Sequence, residues 1–162
     1  MENILSATPV LIYASSIYSL FFVEDKKIQL LFIIGLFLLN TLLNPILKDI
    51  SFYFFKDNEI FQRPNPPKQG CGCFANLEMD GSKSFGFPSG HAQIVAFTAM
   101  FYTLYFGFNP KILFFWIYGI LVCIQRINIG CHNLFQVFGG SIIGIILAIA
   151  YTKILTCTNI LT

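Results

Sequence analysis

The sequence predicts an all-helical integral membrane bundle of about five transmembrane helices, forming a single membrane-embedded domain over residues 1–162. Three observations carry that expectation. Hydrophobic residues make up 56% of the chain and charged residues only 11%. Phenylalanine alone contributes 19 of the 162 residues, far outside ordinary soluble usage. The few charges border apolar stretches long enough to cross a hydrocarbon core of about 30 Å with about 20 helical residues.

The first stretch, residues 4–23, lies between Glu2 and Glu24. A cleavable signal peptide needs a basic leading region, and Glu2 is the only charge ahead of the apolar run, so the segment is expected to remain as a span. The second, 28–48, ends at Lys48. The third, 89–108, is closed by an Asn109-Pro110 turn. The fourth, 111–127, is short, and Lys111 can extend its reach by snorkelling. The fifth is 134–155, where Gly139, Gly140, Ser141 and Gly144 recur at helical spacing and predict close packing against a neighbour. Lipid offers backbone groups no hydrogen-bond partner, so all five are expected to be helices.

Between the second and third stretches, residues 49–88 form the long polar loop, with Pro64, Pro66 and Pro67, expected to cover a site. Phe52-Tyr53-Phe54-Phe55 at its start reads as an interfacial segment rather than a cradle for lipid tails. Cys71 and Cys73 flank Gly72 too closely for an ordinary bridge to each other, leaving a partner elsewhere, with Cys131 conceivable on an oxidising face. Cys123 and Cys157 read as ordinary apolar or terminal residues.

The chain has two histidines, and both stand in short segments suited to phosphate. His91 closes Pro88-Ser89-Gly90-His91, and His132 follows Arg126 after five residues. Upstream, Lys56 precedes Arg63-Pro64 by six residues. The up-and-down order of the helices returns all three segments to one membrane face. There Lys56, Arg63 and Arg126 can neutralise a phosphate or diphosphate, the arginines with forked donors. Ser89 and Gly90 open a helix whose free N–H groups and dipole hold an anion. One imidazole can act as nucleophile and the other as the acid that protonates the leaving oxygen. No metal or other cofactor is required, and zinc is not expected, because both histidines are committed and no second cysteine pair exists. Lys48, Lys68 and Lys83 read as headgroup anchors.

The three segments resemble the signature of the type 2 phosphatidic acid phosphatase superfamily, which runs Lys, six residues, Arg-Pro; Pro-Ser-Gly-His; and Ser-Arg, five residues, His, three residues, Asp. The first two are complete here, whereas the third reads Gln125-Arg126, five residues, His132, three residues, Gln136. The resemblance implies a core of that family's fold, with one helix fewer than the six common there. It also implies that His132 attacks phosphorus to form a phosphohistidine, that His91 protonates the leaving group, and that Lys56, Arg63, Ser89, Gly90 and Arg126 hold the phosphate. Gln136 can accept the histidine hydrogen bond without supplying the charge of an Asp.

A Gln at that position, in the stretch His132-Asn133-Leu134-Phe135-Gln136-Val137, is similar to the dolichyl diphosphate phosphatase branch, as are Gly139-Gly140, His91-Ala92-Gln93 and the approach Leu42-Leu43-Asn44. The expected partners are therefore the bilayer and a lipid phosphate or diphosphate, a polyprenyl diphosphate first and phosphatidic acid as the alternative. A catalytically silent lipid-phosphate-binding protein is the reading of another class, motivated by Gln125 and Gln136. A channel would spread polar residues along several helices, and no nucleic-acid module, P-loop or repeat is visible. Lys26, Lys27, Lys111 and Lys153 opposite the site slightly outnumber Lys48, Lys68 and Lys83 beside it, placing the site on the lumenal or extracytoplasmic face, as in an endoplasmic reticulum-type membrane.

Overall fold

A computed structural model describes Leu5 and residues 7–19, 25–64, 71 and 85–160. Lys68, Cys73, Lys83, Glu2 and Glu24, used above for orientation, bridging and borders, lie outside these residues. Among the described residues the fold is all-helical, without strands. Its six α-helices are α1 (Thr8–Ser19), α2 (Lys26–Phe37), α3 (Asn44–Phe55), α4 (Gly90–Phe106), α5 (Pro110–Asn128) and α6 (Leu134–Cys157), with a π-helical turn (Leu38–Leu43) between α2 and α3.

Asp25 caps α2 by accepting from the Ile28 N–H. Helical backbone angles at Leu38 and Asn44 make α2, the π-helical turn and α3 one continuous rod, about 45 Å long at about 1.5 Å per residue. Pro45 has no N–H to donate back into the preceding turn, and the wider π-helical turn ahead of it accommodates the ring without breaking the rod. The helix therefore passes the expected end at Lys48 and runs to Phe55, so the loop expected from Asp49 begins only after α3. Phe52, Tyr53, Phe54 and Phe55 form the last, exposed turn of that rod.

α4 is the central helix, with His91 through Ala99 buried. It packs closest on α6 because Gly140 and Gly144 leave room for backbone. A Cβ on Gly140 would meet the Ser89 carbonyl at 2.5 Å, and one on Gly144 the Phe97 nitrogen at 3.0 Å. The core joins Ile28, Phe32 and Leu36 of α2 to Ile94, Phe97 and Phe101 of α4 and Ala148 of α6. Gly107, at φ 70°, turns the chain, and Asn109 starts α5 by accepting from the Lys111 and Ile112 N–H groups. α5 and α6 are long and apolar enough to cross a membrane. Their outer surfaces expose Phe114, Ile117, Ile120, Phe138 and Ile146, an apolar exterior that suits lipid.

Candidate active site

Arg126 closes α5, fully buried. Its carbonyl accepts from both Cys131 and His132 N–H groups at 3.2 Å, with Gly130 at φ 71° making the reversal. Asn133 then caps α6 in a reciprocal box with Gln136. This short turn fixes His132, which is 2% exposed, between the two longest helices.

The Gln136 side chain decides the state of that imidazole. Its amide nitrogen donates to the Ile60 carbonyl at 3.0 Å and the Gln62 carbonyl at 2.5 Å. Two carbonyl acceptors require the NH₂ end there, so the amide oxygen is the atom 3.1 Å from His132 Nδ1. His132 must donate from Nδ1, which leaves a lone pair on Nε2. That lone pair faces Arg63 Nη1 at 3.4 Å. Asn133 Nδ2 also donates to the Ile60 carbonyl, at 2.8 Å, so the residues leading into Arg63 are held on the N-terminus of α6.

Cations surround the imidazole. Arg63 donates to the Cys131 carbonyl at 3.0 Å, and Arg126 Nη2 to the Cys71 carbonyl at 2.6 Å. Burial, then the charges of Arg63, Lys48 and Arg126, push the His132 pKa well below its ordinary value, and the Gln136 bond opposes them only in part. Burial lowers Arg63 to about 10, which leaves it cationic at neutral pH. The imidazole is neutral and the guanidinium charged, a pairing suited to a nucleophile beside an anion.

The Pro88–His91 segment reaches the same place. Ser89 N–H donates to the Gln136 backbone carbonyl at 3.2 Å, and the Gly86 and Phe87 N–H groups donate to the Phe61 carbonyl. Ser89 is the N-cap of α4, and its hydroxyl is buried without a hydrogen-bond partner among the described residues. Arg63 Nε is buried in the same condition. Two buried donors without partners, one of them on the arginine that faces the imidazole, could serve oxygen atoms of a ligand. Gly90 lets α3 approach, since a Cβ there would stand 3.2 Å from Asn44 Oδ1. His91 is buried in the first turn of α4.

Lys56 is the expected site residue that stands apart. It is exposed at the end of α3, and its carbonyl accepts from Gln62 Nε2. Lys48, read from sequence as a headgroup anchor, instead turns inward and donates to the Phe85 carbonyl at 2.6 Å. Asn44, named above only as part of the approach to the first motif, donates to Gln93 Oε1 at 2.8 Å. The available signal is that Asn44 and Lys48 lie one turn apart on a helix that is otherwise apolar there. A further unforeseen feature is an aromatic wall, in which Phe61 meets Phe85, Phe87 and Phe135 with ring centroids 6.5, 5.2 and 5.2 Å apart.

Cys71 bonds to Cys131, closing a sequence separation of 60 and carrying the Cys71 carbonyl to Arg126. Breaking this closure is expected to destabilise the fold by up to about 4 kcal/mol through the freedom it returns to the unfolded chain. Thermal unfolding of wild type with and without reductant, and of Cys131→Ser, checks this; an unchanged midpoint in both would contradict it.

A helical bundle that gathers a neutral imidazole, a buried and a half-buried arginine and a helix N-terminus without a side-chain cap bond at one end is the framework of an enzyme that works on phosphate. The chain belongs to the PAP2 superfamily, which it matches over residues 26–158 and whose members are phosphatases. It matches no curated protein and no solved structure.

Proposed function

We propose that the protein is a multi-pass membrane phosphatase that hydrolyses a polyprenyl diphosphate of the dolichyl type through a phosphohistidine. The observation that carries this reading is the Gln136 bridge, which leaves His132 Nε2 unprotonated and facing Arg63. His132 Nε2 attacks the terminal phosphorus, the bond from phosphorus to the bridging oxygen breaks, and His91 gives that oxygen a proton as polyprenyl phosphate leaves. Water, yielding a proton to His91, then attacks the phosphohistidine, the phosphorus–nitrogen bond breaks, and inorganic phosphate departs. Arg63, Arg126, the Ser89 hydroxyl and the N–H groups at Gly90 hold the phosphate oxygens and the charge that builds on them.

Five spans are proposed, with α5 and α6 long enough by themselves and the rod of α2 and α3 supplying another. The Cys71–Cys131 bond favours a lumenal or extracytoplasmic site, because disulfides persist in oxidising compartments. The polyprenyl substrate is favoured over phosphatidic acid by Gln136 and its neighbouring residues, through their resemblance to dolichyl diphosphate phosphatases.

Phosphate release by purified protein in detergent and chelator, from a polyprenyl diphosphate and from phosphatidic acid, tests the reading. Faster chelator-resistant release from the diphosphate supports it. Preference for phosphatidic acid removes the polyprenyl assignment, and binding without release from either replaces the enzyme with a lipid-phosphate-binding protein.

The acid limb of kcat/KM follows from the imidazole. The reactive form of His132 is the neutral one, and its pKa is depressed, so it stays neutral as pH falls through the ordinary value of about 6.5. Activity is expected to persist below that pH and to fall only further down. A limb centred at or above the ordinary value would contradict the depressed imidazole.

A further inference from the structure

We propose that Lys48 binds the substrate phosphate, in the position that motif spacing alone would give to Lys56. The inference rests on the phosphatase reading and assigns that site a third cation. Both lysines ride on one rod, eight residues apart, which separates their Cα atoms by about 12 Å along the axis and turns them about 80° around it. Only one of them can face a given point at the end of the bundle.

Lys48 is the one that does. Its ammonium donates to the carbonyl of Phe85, the residue that leads through Gly86 and Phe87 into Pro88 and Ser89. Gly86 lies so close to the Gln136 side chain that a Cβ would collide with its amide. The ammonium therefore sits at the strip of chain that joins the α4 N-terminus to the Gln136 bridge. It feels the charge of Arg63, and its own charge acts on His132. Lys56 is exposed, and its charge is not among those that act on His132.

The electrostatics favour an anionic ligand. Lys48 and Arg63 are half-buried cations that repel each other, and no carboxylate pairs with either among the described residues. Desolvated like charges are unfavourable unless one gives up its proton or an anion lies between them, and an anion there keeps both cationic. An ammonium has three N–H donors. One of Lys48's is used on Phe85, leaving two for phosphate oxygens. A headgroup anchor would instead carry its charge out to solvent, as Lys56 does.

The test compares full-length wild type with Lys48→Met, Lys48→Arg and Lys56→Met. Two readouts are taken in detergent: kcat and KM for a polyprenyl diphosphate, and affinity for orthovanadate from the shift in thermal unfolding. Lys48→Met is expected to lower both kcat/KM and orthovanadate affinity by about ten- to a hundredfold, the effect of one charge-assisted hydrogen bond. Lys48→Arg should recover part of each, and Lys56→Met should change neither by more than about twofold. Loss in Lys56→Met with Lys48→Met unchanged would overturn the assignment, as would orthovanadate affinity that is equal in Lys48→Met and wild type. If wild type releases no phosphate from any lipid but its orthovanadate affinity still depends on Lys48, the phosphatase reading fails and the cation stands. If wild type binds no orthovanadate, the cation falls too.

Discussion

His132→Ala is expected to reduce phosphate release by about 10,000-fold or more, the largest loss of any single change in this chain. The size follows from what the residue supplies. A covalent route needs a nucleophile that is unprotonated and correctly aimed, and the Nδ1 bond to Gln136 and the facing Arg63 provide both conditions for Nε2. Alanine leaves only direct attack by water, while Arg63 and the α4 N-terminus still hold the anion. Binding and turnover should therefore separate, with inorganic phosphate affinity kept within a few-fold and turnover lost. Quenching wild type during steady turnover of substrate labelled in its terminal phosphate should trap acid-labile, base-stable label on protein, absent from the variant. A His132→Ala enzyme retaining a tenth of the wild-type rate would remove the phosphohistidine from the mechanism.

Gln136→Glu is expected to lose about a hundred- to a thousandfold, although it brings this position closer to the acid common at its place in related signatures. A carboxylate would still accept from His132 Nδ1. It has no hydrogens for the Ile60 and Gln62 carbonyls, which now receive two donations from the amide. Oxygen would face oxygen, and the segment carrying Arg63 would keep only the Asn133 bond as its side-chain tie to α6. A protonated glutamate can restore one of the two bonds, so the deficit should shrink as pH falls, opposite to the trend set by His132. Measuring kcat/KM against pH for wild type, Gln136→Glu and Gln136→Asp separates the cases. Activity at or above wild type in either acidic variant would mean that the glutamine is a weakened acid position rather than a tie.

Much of this site is legible in the sequence because phosphate chemistry needs particular side chains at fixed separations. His91, Arg63, Arg126 and His132 could be singled out that way, and the glycines of α6 announced the close approach of α4. Other features depend on facts with no local signature. Lys48 and Lys56 are the same residue type, and only the phase of the rod, reset by the π-helical turn at Leu38–Leu43, turns one inward. The continuation of α3 to Phe55 was obscured because its aromatic residues read equally well as an interfacial segment. The second half of the Gln136 bridge was invisible because its acceptors are backbone carbonyls of a loop. Cys131 could be suspected but not assigned, since a cysteine carries no mark of its partner.

On the proposed membrane reading, the length of the rod would set where the enzyme meets its substrate. Lys26 opens α2, and Lys48 stands about 33 Å further along the same axis, close to the thickness of a bilayer's hydrocarbon layer of about 30 Å. In the proposed multi-pass placement the Lys48 ammonium would be level with the plane in which lipid phosphates lie, and the last aromatic turn of α3 would rise beyond it among the headgroups. A catalyst so placed would encounter its substrate by diffusion in two dimensions. The concentration that governs its rate is a mole fraction in the membrane, so adding inert phospholipid at constant total substrate slows it even though nothing in the surrounding water has changed.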